Sequence, residues 1–410
     1  MTAETNKPCN PASIWNKNFV CVMLANLLMC LGHSTVNPLV ATYTKHLNAG
    51  PELTGFLTGM FFAVALSLRP FSGPILTKFD KRKLLIIIFL FGAVANFGYA
   101  IFHSIPAFIV FRFFSGIQYG FVGALLMTLA ADHLPISKLA YGLGIYGVSG
   151  AVGNAFGPFL GDLTLQLGTV FKGENFGFTL MFLTGMTLFL IAVIPTLMLA
   201  PDKRTKEDIS GVGVWYKNIL TVHALPATAV LFLLMTAYSL LNTYIFEFSK
   251  EQGISGISAF YLVYAAVLTI TRPLSGYLTE KFGMPRVMYP ALIILTVSMF
   301  IIGSSKSLGL VLLGAVIAAI GFGASQPTLQ TMCIQSETPL KRGVASNTLY
   351  IGFDSGLFIG PFLGGIVYAG SDYAFMYKVG SVPLILAIIC YALILPLHQK
   401  RLTALGNGKQ

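Results

Sequence analysis

Charged side chains are scarce in this chain. Asp, Glu, Lys and Arg together fill only 10% of 410 positions, against roughly 25% in soluble domains. A soluble fold could not cover the apolar remainder, whereas a bilayer can. The five cysteines, Cys9, Cys21, Cys30, Cys333 and Cys390, lack paired or metal-ligand spacing, so neither a disulfide framework nor a metal cluster is expected. Most of them lie inside apolar runs, as free thiols in helices. Nucleotide-binding loops and nucleophile motifs are missing too, which speaks against ATP-driven pumping by this chain alone. The first dozen residues are polar and carry no cleavable signal pattern, so the first apolar run is expected to stay in the membrane.

What the chain does have is apolar length. Hydrophobic residues make up 55% of it, and the mean hydropathy is +0.76. The 42 glycines and 33 phenylalanines suit membrane helices, in which glycine is commoner than in soluble ones. A spanning helix needs about 20 mostly apolar residues. Twelve such spans can be drawn: 18–43, 54–77, 84–102, 106–131, 139–168 and 176–200, then 222–248, 257–280, 287–304, 308–334, 343–370 and 375–397. They are called spans 1 to 12 below. The expectation is an all-α integral membrane protein with a six-helix half over 1–200, a linker over 201–221 and a second half over 222–410.

The formal charge of +11 does not indicate a nucleic-acid partner, because the cations sit in short clusters between apolar runs. Assigned to alternate sides, 18 Lys and Arg fall with the termini and 5 on the other side. By the positive-inside rule both termini are then cytoplasmic, in a multi-pass cell membrane protein. Loops this short leave no room for a separate catalytic module or a receptor's cytoplasmic extension, and no cofactor or metal is implied.

The halves repeat. Arg69-Pro70-Phe71-Ser72-Gly73 recurs as Arg272-Pro273-Leu274-Ser275-Gly276, Lys78-Phe79 as Lys281-Phe282, and Gly157-Pro158-Phe159-Leu160-Gly161 as Gly360-Pro361-Phe362-Leu363-Gly364, all at one offset of 203 residues. Trp15-Asn16-Lys17-Asn18 is echoed by Trp215-Tyr216-Lys217-Asn218. An even number of spans separates the copies, so the halves run parallel. Parallel repeats place a substrate site between the halves, near the midplane.

With these motifs the chain resembles the major facilitator superfamily, in particular its drug:proton antiporter branch. After span 2 that family carries a loop of pattern G-x-L-x-D-r-x-G-r-k, thought to latch the cytoplasmic ends of the halves. Here Gly73, Lys78, Lys81 and Arg82 fit, Thr77 stands where the acid is usual, and Asp80 is left to substitute for it. The copy after span 8 is closer, with Gly276, Leu278, Glu280, Lys281 and Gly283. In span 4, Arg112, Gly116 and Gly120 resemble an R-x-x-x-G-x-x-x-G pattern. In span 5, Gly147, Gly150, Gly153, Gly157, Pro158 and Gly161 resemble the antiporter motif. The resemblance implies a monomeric secondary transporter using alternating access, with spans 1, 4, 7 and 10 lining a central cavity for a small-molecule substrate. Proton-coupled export of amphipathic compounds is the leading expectation. Uptake by symport or facilitated diffusion is the alternative, and a membrane-embedded enzyme or receptor is a remote one.

Ionisable residues at membrane depth carry the functional expectations, because a charge there costs about 2.5–3.5 kcal/mol or more. Asp354 lies about 18 Å into span 11 at helical rise, near the midplane, and about 200° around the helix from Gly352. It should therefore point away from the stripe Gly352, Gly356, Gly360 and Gly364, towards a cavity or a buried partner. His33 in span 1, Arg112 in span 4 and Glu247 in span 7 join it as proton-coupling candidates, His33 being equally readable as a hydrogen-bonded core residue. Glu247 and Asp162 lie near span ends and could simply reach water. Arg69 and Arg272 are expected to snorkel or to pair locally. Asp132 is expected to pair with the Lys78–Lys83 cluster. Polar cavity candidates are Asn26, Asn37, Gln118, Tyr119, Tyr238, Asn242, Gln326 and Gln330. The two glycine–proline motifs read either as helix packing or as a seam between halves that opens and closes.

Overall fold

The computed structural model describes residues 14–201, 218–257 and 259–407. Most of the expected linker, the Trp215–Lys217 part of the repeat and Cys9 lie outside the described residues. Every element among the described residues is helical. Span 1 is Lys17–Val36, prolonged through a 3-10 turn Asn37–Leu39, at Pro38, into a short helix Val40–His46. Spans 2 to 6 are Pro51–Lys78, Lys81–Ile101, Ile105–Asp132, Leu139–Lys172 and Glu174–Leu197. Spans 7 to 11 are Leu225–Glu251, Ala259–Phe282, Met284–Gly303, Leu308–Gln335 and Arg342–Ala369. Span 12 is broken into Tyr373–Val379 and Val382–Asn407.

Local chemistry sets several of these ends. Asn16 accepts a hydrogen bond from the Phe19 N–H at 2.9 Å and Asp80 one from the Lys83 N–H at 3.0 Å, each satisfying a first-turn donor. Proline occupies the first turns of spans 2, 4, 7 and 9, where its missing N–H costs nothing. Among the described residues ten helices are apolar and long enough to cross a membrane by composition. The span 5 and span 8 helices are long enough but less apolar, because span 5 is dense in glycine and span 8 carries Thr, Tyr, Ser and Arg272. These two pack on each other, so protein rather than lipid covers the face where those residues meet.

Spans 1 to 6 form one bundle and spans 7 to 12 the other. Within the bundles span 1 lies on spans 5 and 6, and span 7 on spans 11 and 12. Between them span 2 meets span 11, span 5 meets span 8, and spans 4 and 10 add smaller contacts. The chain start, the linker ends and the chain end share one face, tied by Asn16 to the His133 carbonyl at 2.7 Å, Asn18 to the Ala200 N–H at 3.0 Å and Arg401 to the Ser336 carbonyl at 3.2 Å. It is called the linker face here.

Candidate functional site

The repeated Arg-Pro-x-Ser-Gly segments each send an arginine from one bundle into the other. Arg69 in span 2 donates from Nε to Asp354 Oδ2 at 2.8 Å, and its NH2 lies 2.7 Å from the same oxygen. NH1 donates to the Gly120 carbonyl at 2.8 Å, and the guanidinium lies over the Tyr350 ring at 4.9 Å. Both partners of this ion pair are 1% exposed. Its neighbourhood is polar and closed. Ser72 donates to Asn347, the Asn347 amide donates to the Arg69 carbonyl at 2.6 Å, and Thr128 donates to Ser346 at 3.0 Å. One oxygen of Asp354, Oδ1, is buried without a hydrogen-bond partner.

Arg272, the repeat partner of Arg69, makes the opposite crossing. It donates to the Gly147 carbonyl in span 5 and, from NH2, to Gln326 Oε1 in span 10 at 2.5 Å. Its Nε is buried without a partner. Glycine is required here for space. A Cβ on Gly147 would stand 2.9 Å from the guanidinium, one on Gly144 2.5 Å from the Arg272 carbonyl, and one on Gly276 2.5 Å from the Ala140 carbonyl. One turn nearer the linker face, the Tyr141 N–H donates to Glu280 at 2.8 Å. At that face Lys81 and Asp132 pair, and Arg342 approaches Asp132 at 3.3 Å. Beside them burial holds His133 below its ordinary pKa, with Asp132 opposing the shift and Lys81 adding to it.

All these cross-bundle bonds involve residues between the mid-depth Arg69, Arg272 and Asp354 and the linker face. Among the described residues no hydrogen bond or ion pair joins the bundles nearer the opposite face, where Phe56, Phe156, Phe159, Phe358 and Phe362 are exposed. The described polar links across the seam therefore lie on its linker side.

A second polar group lies inside the first bundle. His33 sits edge-on to Phe61, Tyr119 and Phe189 at 5.2–5.4 Å. Arg112 donates to Asn37 Oδ1 at 2.9 Å and to the Leu57 carbonyl at 3.3 Å, over the Phe61 ring. A small cavity of about 10 Å³ is lined by these groups together with Gln118, Asn96 and Tyr99, room for about one water molecule. His33 and Gln118 lie side by side there, and the rings around His33 fix its place.

Several expectations need correction. Arg69 and Arg272 neither snorkel nor pair locally, since both reach across the seam where carbonyl, carboxylate and amide acceptors are nearer than the interface. Glu247 pairs with Lys250 at 2.8 Å on an exposed helix surface, so water rather than the bundle interior solvates it. Asp162, likewise exposed, accepts from Gln166. Asp80 caps span 3 and does not replace the acid missing at Thr77, whose hydroxyl donates to the Pro74 carbonyl. The outer glycines do not form the seam between halves. Gly157 and Gly161 press on Ser34 and Thr35 of span 1, and Gly360 on Thr236 and Ser239 of span 7, each within one bundle. The Pro361 carbonyl is capped there by Tyr244 at 2.7 Å, and Pro158 lies in the corresponding helix of the first bundle.

Among the polar cavity candidates, Asn26 is buried in span 1–span 5 bonding, donating to Ser149 at 2.8 Å and accepting from Tyr146 at 3.0 Å. Asn37 serves Arg112, Gln118 faces the inner cavity, and Asn242 is exposed. Tyr119 lies within electrostatic reach of Asp354 and Arg69. Tyr238 stacks on Phe322 at 4.3 Å, Gln326 holds Arg272, and Gln330 is buried. Arg82 reaches the Leu197 carbonyl, and Gly73 lets the linker in, since a Cβ there would stand 2.6 Å from the Asn218 carbonyl. Asn347, Ser346, Tyr350 and Arg342 escaped notice in the sequence. Their only signal is proximity to Asp354 on one helix.

The model of the Major Facilitator Superfamily matches residues 22–346 and again 264–410, which together take in nearly all of the chain. The chain belongs to the Major Facilitator Superfamily. Superfamily relatives include Multidrug resistance protein 1 of Bacillus subtilis, 23% identical over 93% of this chain and 98% of that one. Another is Multidrug resistance protein MdtG of Proteus mirabilis, 26% identical over 90% and 92%. FucP, described as an E. coli fucose:proton symporter and solved in an outward conformation, shares the fold with a TM-score of 0.71, at 14% identity over 92% of this chain and 98% of that one. The chain is thus a multi-pass membrane transporter of the superfamily.

Proposed function

We propose that this transporter exports small amphipathic organic compounds in exchange for protons, with both termini on the cytoplasmic side of a bacterial cell membrane. The buried Arg69–Asp354 pair is the observation that carries the reading. A carboxylate at membrane depth, with one oxygen holding an arginine of the other bundle and one oxygen unpartnered, is a site where one proton changes the force across the seam. Removing the charge of Asp354 leaves Arg69 buried without its counter-charge, a state that costs several kcal/mol and is relieved when the bundles part on the linker side. Proton entry from the side opposite the linker then favours opening towards the cytoplasm, and proton loss favours closure. One charge crossing 100 mV is worth about 2.3 kcal/mol, enough for a roughly 50-fold substrate gradient. The lysine and arginine asymmetry supports the orientation, and the two multidrug-resistance relatives support the direction.

The test uses purified protein in liposomes enclosing a pH-sensitive dye, with cationic, neutral and anionic aromatic compounds added under an imposed proton gradient. Wild type should show substrate-dependent proton movement opposite in direction to the substrate, and Asp354→Asn should show none. Proton and substrate moving together would make the protein a symporter. Substrate movement without protons, unchanged in Asp354→Asn, would overturn coupling at this residue.

A further inference from the structure

The two crossings differ in charge. Arg69 meets a carboxylate, whereas Arg272 meets only a backbone carbonyl and an amide oxygen. Among the described residues no Asp or Glu is hydrogen-bonded to Arg272, ion-paired with it or charge-coupled to it; its electrostatic neighbours are Tyr238, Tyr264, Tyr350 and Cys30. The repeat makes the omission specific, because the position one repeat offset from Asp354 is Ala151. A guanidinium held at membrane depth without a counter-charge is costly and marks a pathway or ligand site.

Geometry says what would complete it. Arg272 is half-buried where spans 1, 5, 7, 8, 10 and 11 converge between the two bundles. Its Nε–H is unpartnered, and its NH2 donates to Gln326, a half-buried neutral side chain that a stronger acceptor can displace. Nε–H and NH2 form the side-on pair of donors that binds a carboxylate, sulfonate or phosphate through two parallel hydrogen bonds. Within electrostatic reach of the guanidinium lie Tyr238 and Tyr264, with Tyr238 stacked on Phe322 at 4.3 Å and Tyr264 at 6.2 Å from Tyr238. We infer that Arg272 is the substrate anchor of this transporter and that its substrates are aromatic organic anions, the acidic group on Arg272 and the ring against Tyr238.

The inference rests on the transporter reading but fails separately from it. Three naphthalene compounds of one size, bearing a sulfonate, a trimethylammonium or a hydroxymethyl group, serve as probes. Binding to detergent-purified protein is followed by naphthyl fluorescence anisotropy, and movement across liposomes is followed independently. Wild type should bind the sulfonate at least about tenfold more tightly than the other two, the scale of one charge-assisted hydrogen-bond pair. Arg272→Gln should erase that preference, Arg272→Lys should keep part of it, and Gln326→Glu, which supplies the missing carboxylate, should turn it towards the cation. The preference of the wild type needs no variant to fold. Equal binding of the three probes, or a preference for the cation, overturns the anchor, and so does a sulfonate preference that survives in Arg272→Gln. Selective binding of the sulfonate without its movement across the bilayer keeps the anchor and removes the transporter reading. Equal movement of all three keeps that reading and removes the anchor.

Discussion

Arg69 and Arg272 occupy the same place in two copies of one motif and make different bonds. The first is neutralised by Asp354 in a buried pocket of hydroxyl and amide groups. The second rests on Gly147 and Gln326 with its charge uncompensated. Duplication explains why both bundles send an arginine into the other at one depth. The two crossings diverge at a single related position, Asp354 in one half and Ala151 in the other. On the proposed reading, proton coupling and substrate anchoring are thereby placed on two symmetry-related crossings of one seam.

The comparison breaks first at Asp354. Asp354→Asn should abolish substrate-dependent proton flux. Asp354→Ala should lower apparent stability by about 3–5 kcal/mol by stranding Arg69, while the double change Arg69→Leu with Asp354→Leu should recover most of it; thermal unfolding in detergent reads the difference. Next comes the space that admits Arg272. Gly147→Val should drive the guanidinium out of span 5 and open the linker side, and crosslinking between cysteines placed at Tyr141 and Glu280 should fall several-fold. Making the crossings alike is a subtler change. Ala151→Asp should give Arg272 a carboxylate, hold the seam shut and slow transport several-fold, with proton flux slowed in step. The smallest effect belongs to Glu280→Gln, which weakens a single exposed bond to the Tyr141 N–H. Its cost should stay under about 1 kcal/mol, and transport rates should change less than twofold.

Much of the architecture was legible in the residues, and the reasons are local. Runs of about 20 apolar residues must be helical in lipid, where every backbone group needs an internal partner. The constant offset of 203 residues between Arg69 and Arg272 and between Gly157 and Gly360 exposed the duplication. The direction of Asp354 away from the glycine stripe followed from helical geometry alone, and its bond to Arg69 of the other bundle agrees with it. Asp132 met Lys81 as the neighbouring charges suggested. Of the two readings of Glu247, the span end reaching water held, not the proton-coupling one. For Gly157 and Gly360 the packing reading held, because a small-residue stripe tells that a helix is approached closely, not which helix approaches.

The sequence by itself determined the membrane class, the number and order of spans, the parallel repeat and the handful of ionisable residues buried at depth. Each of these depends on composition, periodicity or spacing along one chain. Only the tertiary structure decided that Arg69 meets Asp354, that Arg272 meets no acid among the described residues, that the outer glycines pack within a bundle and that the polar links of the seam lie on its linker side. Those facts depend on which faces of separate helices meet. In lipid, helix association is governed by close packing and hydrogen bonds between particular faces rather than by a general hydrophobic drive, so partners 285 residues apart leave no periodic trace in the chain.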